Sequence, residues 1–353
     1  DRRAVLVRDL AGGTERWEGF DQLMVATGAV PIRPPLPGVD AQGVFGVQTL
    51  DDGLALRALL ERDKPKRAVV VGAGYIGLEL AEAFCAWSVA VTVVERASTP
   101  MATLDADMGE MLIEAMHRFG MTLRLGETVT GFETDAGRVS AVVTDRSALA
   151  ADLVVLGLGV RPNTALADAA GIPLGPAGGI AVDQRLRTGV EGVWGAGDCV
   201  EKFHRVSRRP VTIALGTYAN KEGRTAGINI GGGYATFPGV LGTAVTKICD
   251  VQVGRTGLGE VEARAAGFDP LSVAVDEFGL RRHELLDHTP ARDGAALTAL
   301  LVAPPDQSPE PARPGPQDPT GTRARRLLSG AACLALTLTG WLLLLALFVA
   351  TRA

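Results

Sequence analysis

The chain has 353 residues, 47% of them apolar, so it can bury a substantial core, and we expect a globular protein rather than a disordered or fibrous one. Its 35 basic and 40 acidic residues give a formal net charge of -5, which provides no basic field for phosphate backbones. We therefore expect no nucleic-acid partner. The four cysteines and four histidines form neither a CxxC pair nor a metal-ligand constellation, so we expect no metal site and a reducing, cytoplasmic location.

Predicted strands and helices alternate along most of the chain. In chain order they are strands over 4–7, 22–25 and 68–71, a helix opened by a glycine turn over 72–87, a strand over 89–94, a helix over 105–119, and strands over 121–125, 138–143, 152–156, 192–194, 244–248 and 251–253. This alternation predicts an α/β protein with a parallel sheet and one doubly wound domain at about 49–170. The strands at 22–25 and 192–194 both end at a glycine turn, and they could be two parts of one domain that the first interrupts.

The end of the chain has a different composition. Seven of the chain's twenty prolines lie between Ala303 and Thr320, which predicts an extended linker, placed at 283–326. The uncharged apolar stretch 327–350 is long enough, at about 1.5 Å per residue, to cross a hydrocarbon core of about 30 Å, so it predicts a transmembrane helix. If native, this segment would tether the chain to a membrane. The composition after residue 280 also fits a frame-shifted or fused tail.

The sharpest motif is the loop Gly72 to Gly77 (GAGYIG), which directly follows a predicted strand and directly precedes a predicted helix. Gly72 permits the tight turn, Gly74 lets backbone approach a pyrophosphate at the helix N-terminus, and Gly77 lets helix and strand pack closely. Glu95, at the end of the next strand, can accept hydrogen bonds from the adenosine ribose hydroxyls. Strand, loop, helix and acid together predict a dinucleotide site rather than a packing turn.

Three charged residues near this loop affect which nicotinamide nucleotide it would bind and how. Glu95 favours NADH because a carboxylate repels a 2′-phosphate, whereas Arg96 beside it weakens that preference or is a solvated surface charge. NADH and NADPH therefore both stay open. Glu79 lies in the first turns of the predicted helix, and it is either a helix-start charge or a group near the nicotinamide.

Two further motifs are strand ends followed by small residues. One is Thr27-Gly28-Ala29, and the other is Gly197-Asp198. Small residues let backbone approach a flat ligand, and the Asp198 carboxylate can bind polyol or ribityl hydroxyls. Taken alone, each motif would be an ordinary turn.

The order of the motifs resembles the pyridine nucleotide-disulfide oxidoreductase family. The segments that carry the resemblance are 26–29 (ATGA), 70–79 (VVGAGYIGLE), 157–163 (GLGVRPN) and 195–198 (GAGD). Two more, 215–224 (LGTYANKEGR) and 237–243 (FPGVLGT), look most like the coenzyme A-disulfide reductase and NADH oxidase branch. The resemblance covers roughly residues 1 to 270.

The resemblance implies two Rossmann-like, doubly wound, three-layer domains that bind FAD and NAD(P), the FAD domain being interrupted by the NAD(P) domain, plus a partial α+β dimerisation domain. The implied bounds are 1–48 and 171–232 for the FAD domain, 49–170 for the NAD(P) domain and 233–282 for the dimerisation domain. The full-length protein would be a homodimer.

The implied activity is hydride transfer from NADH or NADPH through FAD to a small-molecule disulfide such as coenzyme A disulfide. An NADH oxidase or peroxidase using oxygen or peroxide, a ferredoxin-type reductase, and a catalytically incomplete nucleotide-binding fragment are the alternatives. The implied FAD residues are Thr27, Gly28, Ala29, Gly197 and Asp198. The implied nicotinamide nucleotide residues are Gly72, Gly74, Tyr75, Ile76, Gly77, Glu79, Glu95, Arg96 and Gly159. Asn220 would line the flavin and substrate region or cap a helix turn.

The chain departs from the family pattern at its N-terminus. The family's first βαβ unit, with its own glycine loop and the redox-active cysteine of this branch, would lie before Asp1, so we expect a truncated chain and can name no catalytic residue. Cys85 and Cys199 are expected to be buried, and Cys249 is expected in a strand of the dimerisation domain.

Overall fold

The computed structural model describes residues 3–277, 280–287 and 295–303. Its strands are β1 Ala4–Arg8, β2 Glu15–Gly19, β3 Leu23–Val25, β4 Ala29–Pro31, β5 Val44–Phe45, β6 Arg67–Val71, β7 Ala90–Glu95, β8 Thr122–Leu125, β9 Val129–Asp135, β10 Arg138–Thr144, β11 Ala148–Ala150, β12 Leu153–Leu156, β13 Val160–Pro162, β14 Val193–Gly195, β15 Lys202–Phe203, β16 Pro210–Val211, β17 Ala244–Ile248, β18 Val251–Gly257, β19 Pro270–Glu277, β20 Leu280–Asp287 and β21 Ala295–Ala303. Its helices are α1 Leu50–Asp63, α2 Tyr75–Ala86, α3 Ala106–Arg118, α4 Ala165–Ala169, α5 Gly216–Ile230 and α6 Glu260–Ala265.

The chain divides into two compact units, each built from two segments. The first unit comprises Asp1–Val30 and Arg161–Val240, and the second comprises Pro31–Val160 and Leu241–Ala353. These divisions differ from the domain bounds that the sequence predicts, at 48/49 and 170/171. The difference has a physical reason: β5 pairs in parallel with β12, so the segment before α1 is hydrogen-bonded into the second unit.

The second unit contains a five-stranded parallel sheet with the order β5-β12-β6-β7-β8. Four successive residues of β6, 68–71, are buried, as expected for a strand with both faces covered. Helix α2 connects β6 to β7 and α3 connects β7 to β8, and Phe84 and Met108 from these helices are fully buried in the same core cluster. The predicted α/β fold with a parallel sheet is confirmed.

Two antiparallel sheets complete the second unit. One is three-stranded, with the order β11-β10-β9, and the other is five-stranded, with the order β17-β18-β21-β20-β19. The turn between β17 and β18 joins the core of the parallel sheet, because Ile248 and Val251 belong to the same buried cluster as Phe84.

The five-stranded antiparallel sheet corrects two predicted bounds. The dimerisation domain was expected to end at 282, yet β21 continues the sheet to Ala303 and pairs with both β18 and β20. The predicted linker over 283–326 is therefore wrong in its first part, where β20 and β21 lie. Its remainder, 304–326, is outside the described residues. The seven prolines that predicted the linker lie from Pro304 to Pro319, after β21 ends.

The first unit is built around strands from both of its segments. Strand β3 pairs in parallel with β14, with Leu23 opposite Val193, so the two strands that the sequence treats as parts of one domain are neighbours. Val25, Ile180 and Val200 are buried in one cluster around this pair. A second cluster includes Tyr218 of α5.

The transmembrane prediction is corrected. Over residues 3–277, 280–287 and 295–303, no helix is both long and apolar enough to cross a membrane. The prediction of a transmembrane protein is therefore wrong for this part of the chain. The segment that gave rise to it, 327–350, lies outside the described residues.

Phe84 tests the core of the second unit. We expect Phe84→Ala to lower the free energy of unfolding by about 3–5 kcal/mol, because removing the fully buried ring leaves a cavity between α2 and the sheet. Leu54→Ala, on an exposed face of α1, should cost less than about 1 kcal/mol. Chemical denaturation measures both. Equal losses would contradict this description of the core.

Candidate nucleotide-binding sites

The loop between β6 and α2 is fixed by contacts between three glycines. A Cβ on Gly77 would overlap the carbonyl oxygen of Gly72, and one on Gly72 would lie 2.6 Å from the carbonyl oxygen of Gly157. A Cβ on Gly157, the residue after β12, would lie 2.7 Å from Gly77 Cα. Gly72 also has φ +100°, a conformation that favours glycine. The backbone of the loop therefore packs directly on the backbone of Gly157, where the chain passes from β6 into α2.

Gly74 differs from the other glycines of the loop. A Cβ there would meet only the Gly157 carbonyl oxygen, at an ordinary 3.8 Å, and its φ is −83°. Neither packing nor backbone strain requires glycine at this position. A glycine there keeps the face of the loop open to an incoming group.

Helix α2 begins without a side-chain cap. Gly74 is its N-cap residue and has no side chain to accept a hydrogen bond from the first turn, and the first turn holds no acidic residue. The first N–H groups of a helix and the positive end of its dipole attract an anion. This end of α2 is therefore suited to a phosphate.

Glu95 supports the loop from the end of β7. Its carboxylate accepts hydrogen bonds from the backbone N–H of Ala73 and of Ala97, each at 2.8 Å. A carboxylate has about four acceptor positions, so two remain for a ligand. Arg96 beside it is exposed.

Glu79 faces the antiparallel sheet of the second unit. The Thr246 hydroxyl of β17 donates to Glu79 Oε1 at 3.2 Å, and the backbone N–H of Cys249 donates to Glu82 Oε2 at 2.7 Å. Burial raises the pKa of both carboxyl groups. Glu79 is thus a half-buried, hydrogen-bonded group rather than a solvated helix-start charge.

The other residues expected at the nicotinamide nucleotide are placed around the same loop. Tyr75 and Ile76 are partly buried against the core of the second unit, so they offer backbone rather than side chain to a ligand. Gly159 is exposed with φ +82°, and a Cβ there would meet nothing within 4 Å.

The 27–29 turn of the first unit is joined to Asn163. The Thr27 hydroxyl donates to the Asn163 carbonyl oxygen at 2.6 Å, and the Asn163 backbone N–H donates to the Gly28 carbonyl oxygen at 2.9 Å. Gly28 has φ +68°, and Ala29 is buried. The Thr27 side chain therefore fixes the turn, which leaves its backbone to meet a ligand.

The Gly197-Asp198 turn is held by a buried ion pair that the sequence did not reveal. Glu222 Oε2 accepts from the Gly197 N–H, and Lys202 Nζ donates to the Gly197 carbonyl oxygen, both at 2.8 Å. The side chains of Lys202 and Glu222 are 0% and 1% exposed, and their charged atoms are 3.6 Å apart. One signal was present: Glu222 lies on the same helix face as Tyr218 and Ala226, where a charge is unexpected.

Two carboxylate oxygens near this turn accept no hydrogen bond within the part of the chain that the structure describes. They are Asp198 Oδ1 and Glu222 Oε1, and both are buried. Burial raises the pKa of Asp198 against the opposing effect of Lys202, and burial raises the pKa of Glu222 to about 7. Buried acceptors without donors are costly, so this turn is suited to a ligand that brings hydroxyl donors.

Comparison with known proteins decides the family. Residues 1–223 match the family described as pyridine nucleotide-disulphide oxidoreductase. The chain belongs to this family. The resemblance carried by the sequence motifs is confirmed, and the family consists of enzymes that use FAD and NAD(P)H.

Individual relatives are similar over most of this chain. This chain is 40% identical over 264 residues to the NAD(P)H coenzyme A polysulfide/persulfide reductase of Pyrococcus horikoshii, and the match covers 74% of this chain and 59% of that protein. It is 38% identical over 250 residues to an NADH oxidase of Methanocaldococcus jannaschii, covering 70% of this chain and 55% of that protein. The crystal structure of a FAD-dependent pyridine nucleotide-disulphide oxidoreductase from Desulfovibrio vulgaris matches with a TM-score of 0.80 and 34% identity, covering 86% of this chain and 76% of that one. The chain spans about three fifths of the length of the curated relatives it matches.

A redox cysteine of this family is a reactive thiolate, and the described cysteines lack that environment. Cys199 is fully buried and its Sγ contacts the carbonyl oxygens of Val25 and Ala196. Burial raises the pKa of Cys249 to about 12 and also raises that of Cys85. Cys249 lies in the turn between β17 and β18 rather than within a strand.

Asn220 is exposed on α5. It is the fifth residue of that helix, which begins at Gly216, so it does not cap the helix. The alternative of a capping residue is therefore wrong. Its expected place beside the substrate stays a prediction.

A polar cleft of about 450 Å³ lies far from the glycine loop. It is lined by residues 63–66, 138, 139 and 152, at the amino ends of β6 and β12. The glycine loop follows the carboxyl end of β6, so the two lie at opposite edges of the sheet. Hydrogen bonds from Arg62 and Arg138 lower the pKa of Asp63 in this cleft to about 2. Its two carboxylates, Asp63 and Asp152, are thus already paired with arginines, and we assign the cleft no part in nucleotide binding.

Gly77 and Gly74 form a matched pair for testing the loop. We expect Gly77→Ala to lower the free energy of unfolding by about 2–4 kcal/mol, because its methyl group would overlap the Gly72 backbone. Gly74→Ala should change it by at most about 1 kcal/mol, the cost of alanine at an N-cap. Chemical denaturation distinguishes them. A tolerated Gly77→Ala would show that the close packing is not required.

Glu222 predicts a pH dependence of stability. Its folded-state pKa is about 7 against an ordinary value of 4.5, so the folded chain binds more protons than the unfolded chain between these values. Stability from this group is therefore lost as pH rises through 7, by about 3 kcal/mol in total.

Glu222→Gln should abolish that dependence. The free energy of unfolding of wild type relative to the variant should fall by about 3 kcal/mol from pH 5 to pH 8. Glu191→Gln, on the surface of the same unit, should show no such change. Parallel curves for wild type and Glu222→Gln would disprove the assignment.

Proposed function

We propose that this chain is the nucleotide-binding part of an NAD(P)H oxidoreductase that passes electrons through FAD to a sulfur–sulfur bond such as that of coenzyme A disulfide. The observation that carries the proposal is the β6-α2 loop, where close glycine packing leaves Gly74 open beside an uncapped helix N-terminus. The Gly197-Asp198 turn of the first unit, with its buried Asp198 Oδ1, would supply the second nucleotide site.

NAD(P)H fits the second unit. The backbone of residues 72–77 and the N-terminus of α2 would bind its pyrophosphate. Glu95 would bind the adenosine ribose with the acceptor positions that Ala73 and Ala97 leave free, and Arg96 would reach a 2′-phosphate if one is present. Tyr75, Ile76 and Gly159 would contribute backbone, and Glu79 would lie near the nicotinamide.

FAD fits the first unit. Asp198 Oδ1, which accepts no hydrogen bond among the described residues, would accept one from a ribityl hydroxyl, and Gly197 and Gly28 would let backbone approach the ligand. Thr27 and Ala29 fix the turn around Gly28, and Asn220 would face the substrate. When bound, FAD accepts a hydride from NAD(P)H and delivers the electrons to the acceptor.

The acceptor is proposed from the relatives. The Pyrococcus horikoshii protein is named for polysulfide and persulfide reduction, which favours a sulfur–sulfur acceptor. The Methanocaldococcus jannaschii protein is named an NADH oxidase, so oxygen is the second candidate.

The full-length protein is also proposed to form a homodimer through the five-stranded antiparallel sheet. Val245, Leu271 and Val273 expose 69%, 47% and 42% of their surface on β17 and β19. Leu271 and Val273 alternate along β19 and so share one face of that strand, whereas Val245 lies on the opposite edge strand. Exposed apolar residues along a strand are typical of an interface.

Products distinguish the two acceptors. The FAD-reconstituted full-length protein, which would include the redox cysteine, is mixed with NADH and either coenzyme A disulfide without oxygen or oxygen without disulfide. We expect two thiols per NADH in the first mixture and slow NADH consumption in the second. Rapid oxygen-dependent oxidation without thiol formation would identify the oxidase instead.

Gly74→Ala tests the nicotinamide nucleotide site. Its methyl group would stand on the open face of the loop, so we expect the dissociation constant for NADH to rise at least about tenfold with little change in stability. Gly227→Ala is the matched control, since a Cβ at that helical position meets nothing within 4 Å. Fluorescence titration gives both constants. Unchanged affinity in Gly74→Ala would argue against this site.

A further inference from the structure

Both backbone polar groups of Gly197 are bound by buried charges. Its N–H donates to the Glu222 carboxylate, and its carbonyl oxygen accepts from the Lys202 ammonium. Gly197 has φ +86°, so the turn holds an unusual conformation, and Asp198 follows it directly. Two side chains from separate elements, β15 and α5, thus determine where the Asp198 carboxylate lies.

The Lys202–Glu222 ion pair binds the backbone of the turn. A fully buried pair is costly unless its remaining polar positions are bonded, and an apolar pair of the same size would be at least as stable. Lys202 also donates to the Val200 carbonyl oxygen at 3.3 Å, so its donors are used on the turn. Glu222 Oε1 accepts no hydrogen bond among the described residues. The charges are therefore arranged around the turn rather than for maximum stability.

We propose that Lys202 and Glu222 are positioning residues that hold the Gly197-Asp198 turn in the shape that receives the flavin, and that flavin affinity depends on the charge of Glu222. The proposal rests on the proposed function, because it takes FAD as the ligand of this turn. It adds a role for Lys202 and Glu222, and a pH dependence, to what the sequence motifs imply.

The charged groups that face Glu222 come from two elements. Lys202 approaches from β15 and Asp198 from the turn after β14, while Lys221 and Arg224 on α5 itself are exposed. With Glu222 ionised, Glu222, Asp198 and Lys202 carry a formal net charge of −1. Protonation removes the counter-charge of Lys202 and turns the acceptor of the Gly197 N–H into a neutral one, which forms a weaker hydrogen bond.

The direction of the pH effect follows from these contacts. When Glu222 is neutral, Lys202 has only Asp198 as an anionic partner, and it competes with a ligand hydroxyl for that carboxylate. Flavin affinity should therefore be high when Glu222 is ionised and lower when it is protonated. Glu222→Gln mimics the protonated state.

The first test is the dissociation constant for FAD, measured by flavin fluorescence at several pH values. We expect the wild-type constant to rise about tenfold from pH 8 to pH 6, and Glu222→Gln to have the weaker constant at both. Lys202→Met should weaken binding at every pH, whereas Lys221→Met, the exposed neighbour on α5, should behave as wild type. If Glu222→Gln follows the wild-type pH profile with the same affinity, the proposal is wrong although the proposed function stands.

The second test needs no flavin. Hydrogen exchange at Gly197 in the flavin-free chain should be at least about tenfold faster in Glu222→Ala, because its amide loses its acceptor, and restored in part by Glu222→Gln. Unchanged exchange would overturn the positioning role. If exchange responds but wild type binds no FAD between pH 6 and pH 8, the pair only stabilises the fold, and both the proposed function and this proposal fall.

Discussion

The structure depends first on the contact between Gly72, Gly77 and Gly157. Strands β6 and β12 are parallel neighbours, with Val71 opposite Leu156, so the turns after them lie side by side. Because no side chain separates these turns, α2 begins directly over the edge of the sheet. Two consequences follow: the uncapped N-terminus of α2 is presented at that edge, and its other face brings Glu79 and Glu82 to the antiparallel sheet.

The first unit contains a turn that two carboxylates line. Asp198, Glu222 and Lys202 are close together, and the lysine cannot fully compensate two carboxylates. Burying such a set costs free energy, which a ligand that supplies hydroxyl donors would partly recover. This cost of burying charge is thus located at the proposed ligand site.

Local signals made much of the fold predictable. The glycine loop and its flanking strand and helix could be predicted because their signals are local, and α3 was predicted within one residue at each end by its apolar spacing. Helix α1 was missed, although Thr49 and Asp52 form a capping box at its start, because its apolar pattern is weak. Contacts between distant residues were not predictable: Gly157 matters because of Gly77, and Glu222 because of Lys202. The composition after residue 280 suggested a tail, yet β20 and β21 pair in the sheet.

The proposed function requires that NAD(P)H reduce FAD bound to this chain. The most direct measurement is the absorbance of oxidised flavin in the FAD-reconstituted protein during anaerobic titration with NADH. We expect one equivalent of NADH to bleach the flavin band. An unchanged flavin spectrum, with both nucleotides bound, would contradict it.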